Sequence, residues 1–119
     1  MIGLTNTALK IFVALEPCDM RKSFNGLCDI AIGHLDGQLT REAVYVFTNK
    51  RRNRIKLLYF DGTGLWVAAK RLEEGTFSWP KPNDTHQRRL SLAPEALQLL
   101  LDGVDLRGAQ LRPWYDREK

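Results

Sequence analysis

Three neighbouring stretches of the sequence decide the fold: AVYVFT at residues 43–48, RIKLLYF at 54–60 and LWVAAKRL at 65–72. All three are rich in the β-branched, aromatic and other apolar residues that favour strands. They are separated by NKRRN at 49–53, which has the length of a hairpin loop, and by DGTG at 61–64, whose glycines accept positive φ. Residues 43–72 are therefore predicted to form an antiparallel meander of three strands.

Apolar periodicity outside the meander predicts the remaining elements. LKIFVAL at 9–15 is a short apolar run that ends before Pro17, as expected of a strand. Apolar residues recur at helical spacing over about 20–33, and a shorter helix, with Pro94 in its first turn, is predicted over about 93–102. Short strands are expected at 77–79 and 87–91. The predicted class is α+β, with an antiparallel sheet of about five strands packed by the first helix.

The chain has 119 residues and a mass of 13.6 kDa, and 44% of its residues are hydrophobic. These values predict a single domain over 1–119, with a core at about 9–106 and a polar tail at 107–119. No apolar run is long enough to span a bilayer, and the N-terminus lacks the pattern of a signal peptide, so a cytoplasmic protein is expected. Cys18 and Cys28 lack the spacing of a zinc site, and we expect reduced thiols, no metal and no cofactor.

The positive charge of the chain is concentrated in its centre. Residues 41–71 carry 8 basic and 2 acidic side chains, whereas the segments on either side each have a net charge of −1. A localised positive field favours a polyanionic partner, nucleic acid first and an anionic membrane surface second. The alternative is a solvated hairpin whose cations protect the sheet from pairing with other chains.

The predicted DNA-binding residues lie mainly on and after the basic hairpin. Its loop and return strand place five cations within seven residues, and the third strand and the first helix add others. The candidates are Lys50, Arg51, Arg52, Arg54, Lys56, Lys70, Arg71, Arg21 and Lys22. Arginine forks bind phosphate in a bidentate manner, and a two-stranded ribbon fits a major groove or follows a backbone. For the motif around Arg21, the alternative is that Asp19 caps the helix.

Catalytic motifs are absent from the sequence, so an enzyme is not expected. A nuclease that uses Asp19, Asp61 and Glu73 with Mg²⁺ is the catalytic alternative, and it requires these carboxylates to converge. Trp66 and Trp79 fit strands and are predicted in the core or on a sheet face, whereas Trp114 is the candidate for contact with another protein.

Four segments of the chain carry a resemblance to a known family. They occur in the order PCDMRKSFNGL at 17–27, VF at 46–47 with KRRNRIK at 50–56 and DG at 61–62, KRLEEGTFSWP at 70–80, and LLDGVD at 100–105. This series resembles the TnpB (second open reading frame) proteins of IS-66 type bacterial insertion sequences, over most of residues 9–106. The RNA-guided nucleases that are also called TnpB share only the label.

The resemblance implies an accessory role in DNA transposition beside a separate transposase that performs the strand chemistry. It implies as partners the DNA of the element ends, the transposase and the other accessory protein of the element, and it supplies no catalytic residues. Self-association is a further expectation. The alternative to DNA binding is a protein adaptor that contacts the transposase, or a second copy of itself, through Trp114, the helix at 93–102 or a sheet edge.

Overall fold

The computed structural model of the chain describes residues 9–103. Within them the elements follow in the order β1 (Lys10–Ala14), α1 (Phe24–Asp29), a π-helical segment (Ile30–His34), β2 (Ala43–Thr48), β3 (Arg54–Phe60), β4 (Leu65–Arg71), β5 (Arg89–Leu92) and α2 (Pro94–Leu101). The strands form a five-stranded sheet in the order β4-β3-β2-β1-β5. The predicted α+β class is confirmed. No helix in the described part is long and apolar enough to cross a membrane.

The meander has the predicted pairing. β2 pairs antiparallel with β3 from Val44↔Tyr59 to Thr48↔Ile55, and β3 pairs antiparallel with β4 from Arg54↔Arg71 onwards. All six residues of β2 are buried, because this strand lies between β3 and β1 with both of its faces covered. β2 is therefore the centre of the molecule.

One strand pair departs from the predicted antiparallel sheet. β1 runs parallel to β2, with Lys10 opposite Ala43 and Val13 opposite Val46, while β5 closes the other side of β1 in antiparallel orientation. The parallel pair follows from the connection, because residues 15–42 cross back over the sheet through α1. The sheet is therefore mostly antiparallel.

The first helix covers one face of the sheet. Leu27 of α1, Ala31 of the π-helical segment and Leu35 just after it are buried. They pack with a cluster from the strands, Ala14, Ala43, Tyr45, Phe47 and Leu58. The helix begins at Phe24 instead of the predicted residue 20, because Asp19 accepts the backbone N–H and the guanidinium of Arg21 in a local turn. Ser23 occupies the N-cap position without a capping hydrogen bond from its side chain.

The second helix and an irregular segment cover the opposite face. Ala96, Leu97 and Leu100 of α2 are buried against the sheet, together with Phe77 and Trp79. The predicted strand at 77–79 is wrong: these residues form no ladder. Instead the Phe77 N–H donates to the carbonyl of Arg52 (2.7 Å), and Trp79 Nε1–H donates to the carbonyl of Ala14 (2.9 Å). The predicted core position of Trp79 is confirmed.

A buried tyrosine ties the loop after the first helix to β2. The Tyr45 hydroxyl accepts the Gln38 N–H (2.9 Å) and donates to the Gln38 carbonyl (2.8 Å). Burial raises the pKa of this phenol. A side chain at Gly37 would collide with the same ring, so the close approach requires glycine there.

We predict that Tyr45→Phe lowers the free energy of unfolding by about 1–3 kcal/mol, because it leaves the two backbone groups of Gln38 without their partner. Tyr59→Phe is the matched control. It removes one exposed hydrogen bond to the Arg41 carbonyl and should cost less. Urea unfolding of both variants gives the comparison, and equal losses would contradict the assigned role of Tyr45.

Candidate nucleic-acid interface

The loop between β2 and β3 is held in shape by the side chain of Asn49. Its Oδ1 accepts the N–H groups of Asn53 and Arg54 (both 3.1 Å), and its Nδ2 donates to Asn53 Oδ1 (2.7 Å). The Asn49 carbonyl also accepts the N–H of Arg52, which has a φ of 59°. Asn49 is not among the residues predicted to be functional, although asparagine is frequent at positions where a side chain bonds the backbone of a turn.

The loop presents its cations in two directions. Lys50 and Arg51 are exposed at the tip. Arg52 is half-buried and lines a cavity of about 260 Å³ with Phe77 and Lys81, on the side of the sheet that α2 covers. Within residues 9–103, no hydrogen bond or ion pair engages the side chains of these three loop cations.

The face that carries α1 brings four basic residues together. Arg54 and Lys56 share this face because alternate residues of a strand point the same way, and Arg71 lies directly opposite Arg54 on β4. The Lys56 ammonium donates to the carbonyl of Lys22 (2.7 Å), which fixes the segment before α1 beside β3. An open groove of about 470 Å³ lies here, lined by residues that include Met20, Arg54, Lys56, Arg71 and Glu73.

Besides Lys56, three other predicted cations have local partners. Arg21 forms an ion pair with Asp19 (2.6 Å), whose pKa is lowered to about 2, chiefly by the hydrogen bond from this guanidinium. Arg71 pairs with Glu73 (3.3 Å). Lys70 lies on the face opposite to Arg71 and donates to the Leu101 carbonyl (2.7 Å), at the end of α2. The predicted residues therefore occupy two faces and a tip, and the largest group faces the groove.

The facing arginines are the most informative feature of the groove. Like charges at directly opposed positions of an antiparallel pair repel each other and destabilise the sheet. Glu73 compensates Arg71, whereas the Arg54 side chain has no ion-pair partner among the described residues. The arrangement leaves a positive surface that an anion would stabilise.

Two of the three carboxylates of the nuclease alternative, Asp61 and Glu73, lie far apart in the fold. Asp61 lies at the turn between β3 and β4, and Glu73 follows the far end of β4, about 20 Å away for a strand of this length. Asp61 accepts bonds from the N–H groups of Thr63 and Gly64 (2.8 Å each), from the Thr63 hydroxyl and from Trp66 Nε1–H. Among residues 9–103, no group of three or more acidic, histidine or cysteine side chains is arranged to hold a metal ion. The geometry therefore does not support the nuclease alternative.

Of the other two tryptophans, the structure describes Trp66 alone. Trp66 is 45% exposed on β4, so of its two predicted locations it occupies the sheet face. Trp114, the predicted contact with another protein, lies outside the described residues, as does the predicted tail at 107–119.

We predict that acid removes the contribution of Asp61 to stability. Hydrogen bonds, the largest from the Thr63 N–H, hold the pKa of Asp61 well below its ordinary value of 3.8. A lowered pKa in the folded state stabilises the protein above about pH 4, and the effect fades as the pH falls further. The loss of stability in Asp61→Asn should therefore be largest near neutral pH and shrink in acid, as measured by urea unfolding across a pH series. Asp29→Asn, at a carboxylate that accepts none of these bonds, is the control, and a difference that does not change with pH would contradict the assignment.

Comparison with known proteins identifies the family. The family model of the IS66 Orf2-like proteins matches residues 9–111. Two proteins of Sinorhizobium fredii (strain NGR234) are similar to the chain: the uncharacterized protein y4jC is 34% identical, covering 95% of this chain and 93% of its own length, and the uncharacterized protein y4hO is 29% identical, covering 86% of each. No solved structure matches the chain. The chain belongs to the family of IS66 Orf2-like proteins.

Proposed function

We propose that the chain is a non-catalytic accessory protein of insertion-sequence transposition that binds DNA through its basic hairpin and assists a separate transposase in the bacterial cytoplasm. Membership of the IS66 Orf2-like family implies an accessory role associated with transposition. The direct contact with DNA is proposed in addition to this role, which family membership implies. The surface assigned to it consists of the groove cations Arg54, Lys56 and Arg71, of Lys22 beside them, and of the tip cations Lys50 and Arg51.

The pair of opposed arginines, Arg54 and Arg71, carries the proposal. A phosphate between two guanidinium groups accepts bidentate hydrogen bonds from each and removes their repulsion. Lys56 adds a third cation on the same face, two residues along β3. The groove accommodates a backbone phosphate in this position, because it is open to solvent and lined by these side chains.

The tip supports the same role. Lys50 and Arg51 are exposed on a loop whose backbone is fixed by Asn49, so little conformational freedom of the loop is lost on binding. Such contacts to phosphates position a protein on DNA, whereas base contacts give sequence preference. We assign no base contact to this chain, and the transposase is the proposed source of sequence preference.

The test is a salt series of binding affinity for a duplex from an element end and for a scrambled duplex. Neutralisation of four or five phosphates predicts that log K falls against log salt with a slope of roughly −4. The double variant Arg51→Ala/Arg54→Ala should make this slope shallower by about 2, because each released phosphate contact contributes about 0.9. Both side chains are exposed and lack a partner in the described part of the chain, so the fold should be unaffected.

The matched control is the double variant Lys10→Ala/Arg41→Ala. It removes the same charge at the opposite end of the sheet, where Lys10 lies opposite Ala43 at the start of β2. The control should retain the slope of the unmodified chain. Equal slopes for the two double variants would overturn the assigned surface, and absence of binding at low salt would overturn direct DNA binding.

A second candidate function is a protein adaptor, and exposed apolar residues on the first helical element favour it. Phe24 is 47% exposed and Ile32 is 52% exposed. The helix α2 does not offer such a surface with its apolar residues, because Ala96, Leu97 and Leu100 are buried in the core.

The adaptor function predicts capture of the transposase of the element by this chain after nuclease treatment, with loss of capture in Phe24→Ser/Ile32→Ser. The variant Arg51→Ala/Arg54→Ala should retain capture and serves as the control. Capture that depends entirely on nucleic acid would contradict the adaptor function.

A further inference from the structure

The outer edge of the sheet at β4 has no neighbour among the described residues, and the charged side chains of the strand, Lys70 and Arg71, both lie at one end of it. β4 is last in the strand order and is seven residues long. Its register with β3 is continuous from Phe60↔Leu65 to Arg54↔Arg71, so it contains no bulge, and it contains no proline. A long edge of this kind is a template for a further strand.

The hydrogen bonds inside the sheet determine which residues of β4 face outwards. The Leu72 N–H donates to the Asn53 carbonyl, and the Asp61 N–H donates to the Gly64 carbonyl. Backbone groups alternate between the two sides of a strand, so the even-numbered residues of β4 bond to β3. The outward N–H and carbonyl groups therefore belong to the odd-numbered residues Leu65, Val67, Ala69 and Arg71.

The sequence of β4 is complementary to itself in antiparallel orientation. With Ala68 on a twofold axis, Val67 faces Ala69 of the second copy and Leu65 faces Arg71 of the second copy. All four outward residues then pair, and each such pair exchanges two backbone hydrogen bonds. The small side chains at the centre allow this approach, because Ala68 and Ala69 are both exposed.

The side chains on the α2 face complement each other in the same register. Trp66 faces Lys70 of the second copy at a pair without backbone hydrogen bonds, where side chains lie closest. The Lys70 ammonium donates one N–H to the Leu101 carbonyl (2.7 Å) and keeps two others, so the exposed indole face of Trp66 still attracts it, twice by symmetry. A parallel arrangement in register would place Lys70 and Arg71 beside Lys70 and Arg71 of the second copy. The antiparallel arrangement separates the cations of the two copies.

We propose that two copies of this chain associate through antiparallel pairing of their β4 edges, centred on Ala68, to form a continuous ten-stranded sheet. The second copy is the occupant of the edge. A twofold axis perpendicular to the sheet leaves both α1 faces on one side of the dimer. The two sets of facing arginines then point in the same direction.

Sedimentation velocity of the full chain over a concentration series tests the association. A concentration-dependent dimer is expected, and Trp66→Lys should raise its dissociation constant about tenfold or more, since it replaces two cation–π contacts with two repulsions. Asn25→Lys adds the same charge at an exposed position of α1 and should leave the constant unchanged. Circular dichroism and thermal unfolding verify that both variants fold.

Cross-linking tests the register. In a background with Cys18→Ser and Cys28→Ser, Ala68→Cys should give a disulfide-linked dimer on oxidation with diamide, because Cα atoms at such a pair lie about 4.5 Å apart. Ala69→Cys is the control: its two Cα atoms would lie about 8 Å apart, beyond the reach of a disulfide. A monomer at every concentration, a dimer that Trp66→Lys does not weaken, or equal cross-linking at both positions would overturn the proposal.

Discussion

Every layer of this molecule depends on the complete burial of β2. Val44 and Val46 point to the α2 side, while Tyr45 and Phe47 point to the α1 side, so a strand of six residues supplies both cores. A strand buried on both faces reads as a continuous apolar run, and AVYVFT has that composition. The polar exception, Thr48, is also buried and donates its hydroxyl to the Arg54 carbonyl (2.9 Å), which starts the hairpin.

Local patterns in the sequence predicted the elements more reliably than their arrangement. The meander and α2 were predictable because strand composition, hairpin loops and a helix start with Pro94 act over a few residues. The parallel pairing of β1 was not, since it depends on where residues 15–42 return to the sheet. The segment around Trp79 has strand-like composition, yet its indole bonds to Ala14, 65 residues away, and no local pattern contains that contact.

The candidate site shows the same division. The cations form a run in the sequence, and the alternation of side chains along a strand predicts that Arg54 and Lys56 share one face. The opposition of Arg54 and Arg71 required the register of β3 and β4. The carboxylates that pair with Arg21 and Arg71 lie two residues away in each case. They lower the positive charge of this surface below the value that a count of its basic residues suggests.

The strand order has a consequence for synthesis of the chain on the ribosome. β1 is made first, but its neighbours are β2, which follows after the crossover, and β5, which ends at Leu92. The strand that holds the apolar side chains of Ile11 and Val13 therefore gains its second neighbour only after β5 has been synthesised. An unpaired apolar strand is prone to aggregate. The nascent protein is thus expected to rely on holding factors at the exit tunnel until β5 has emerged.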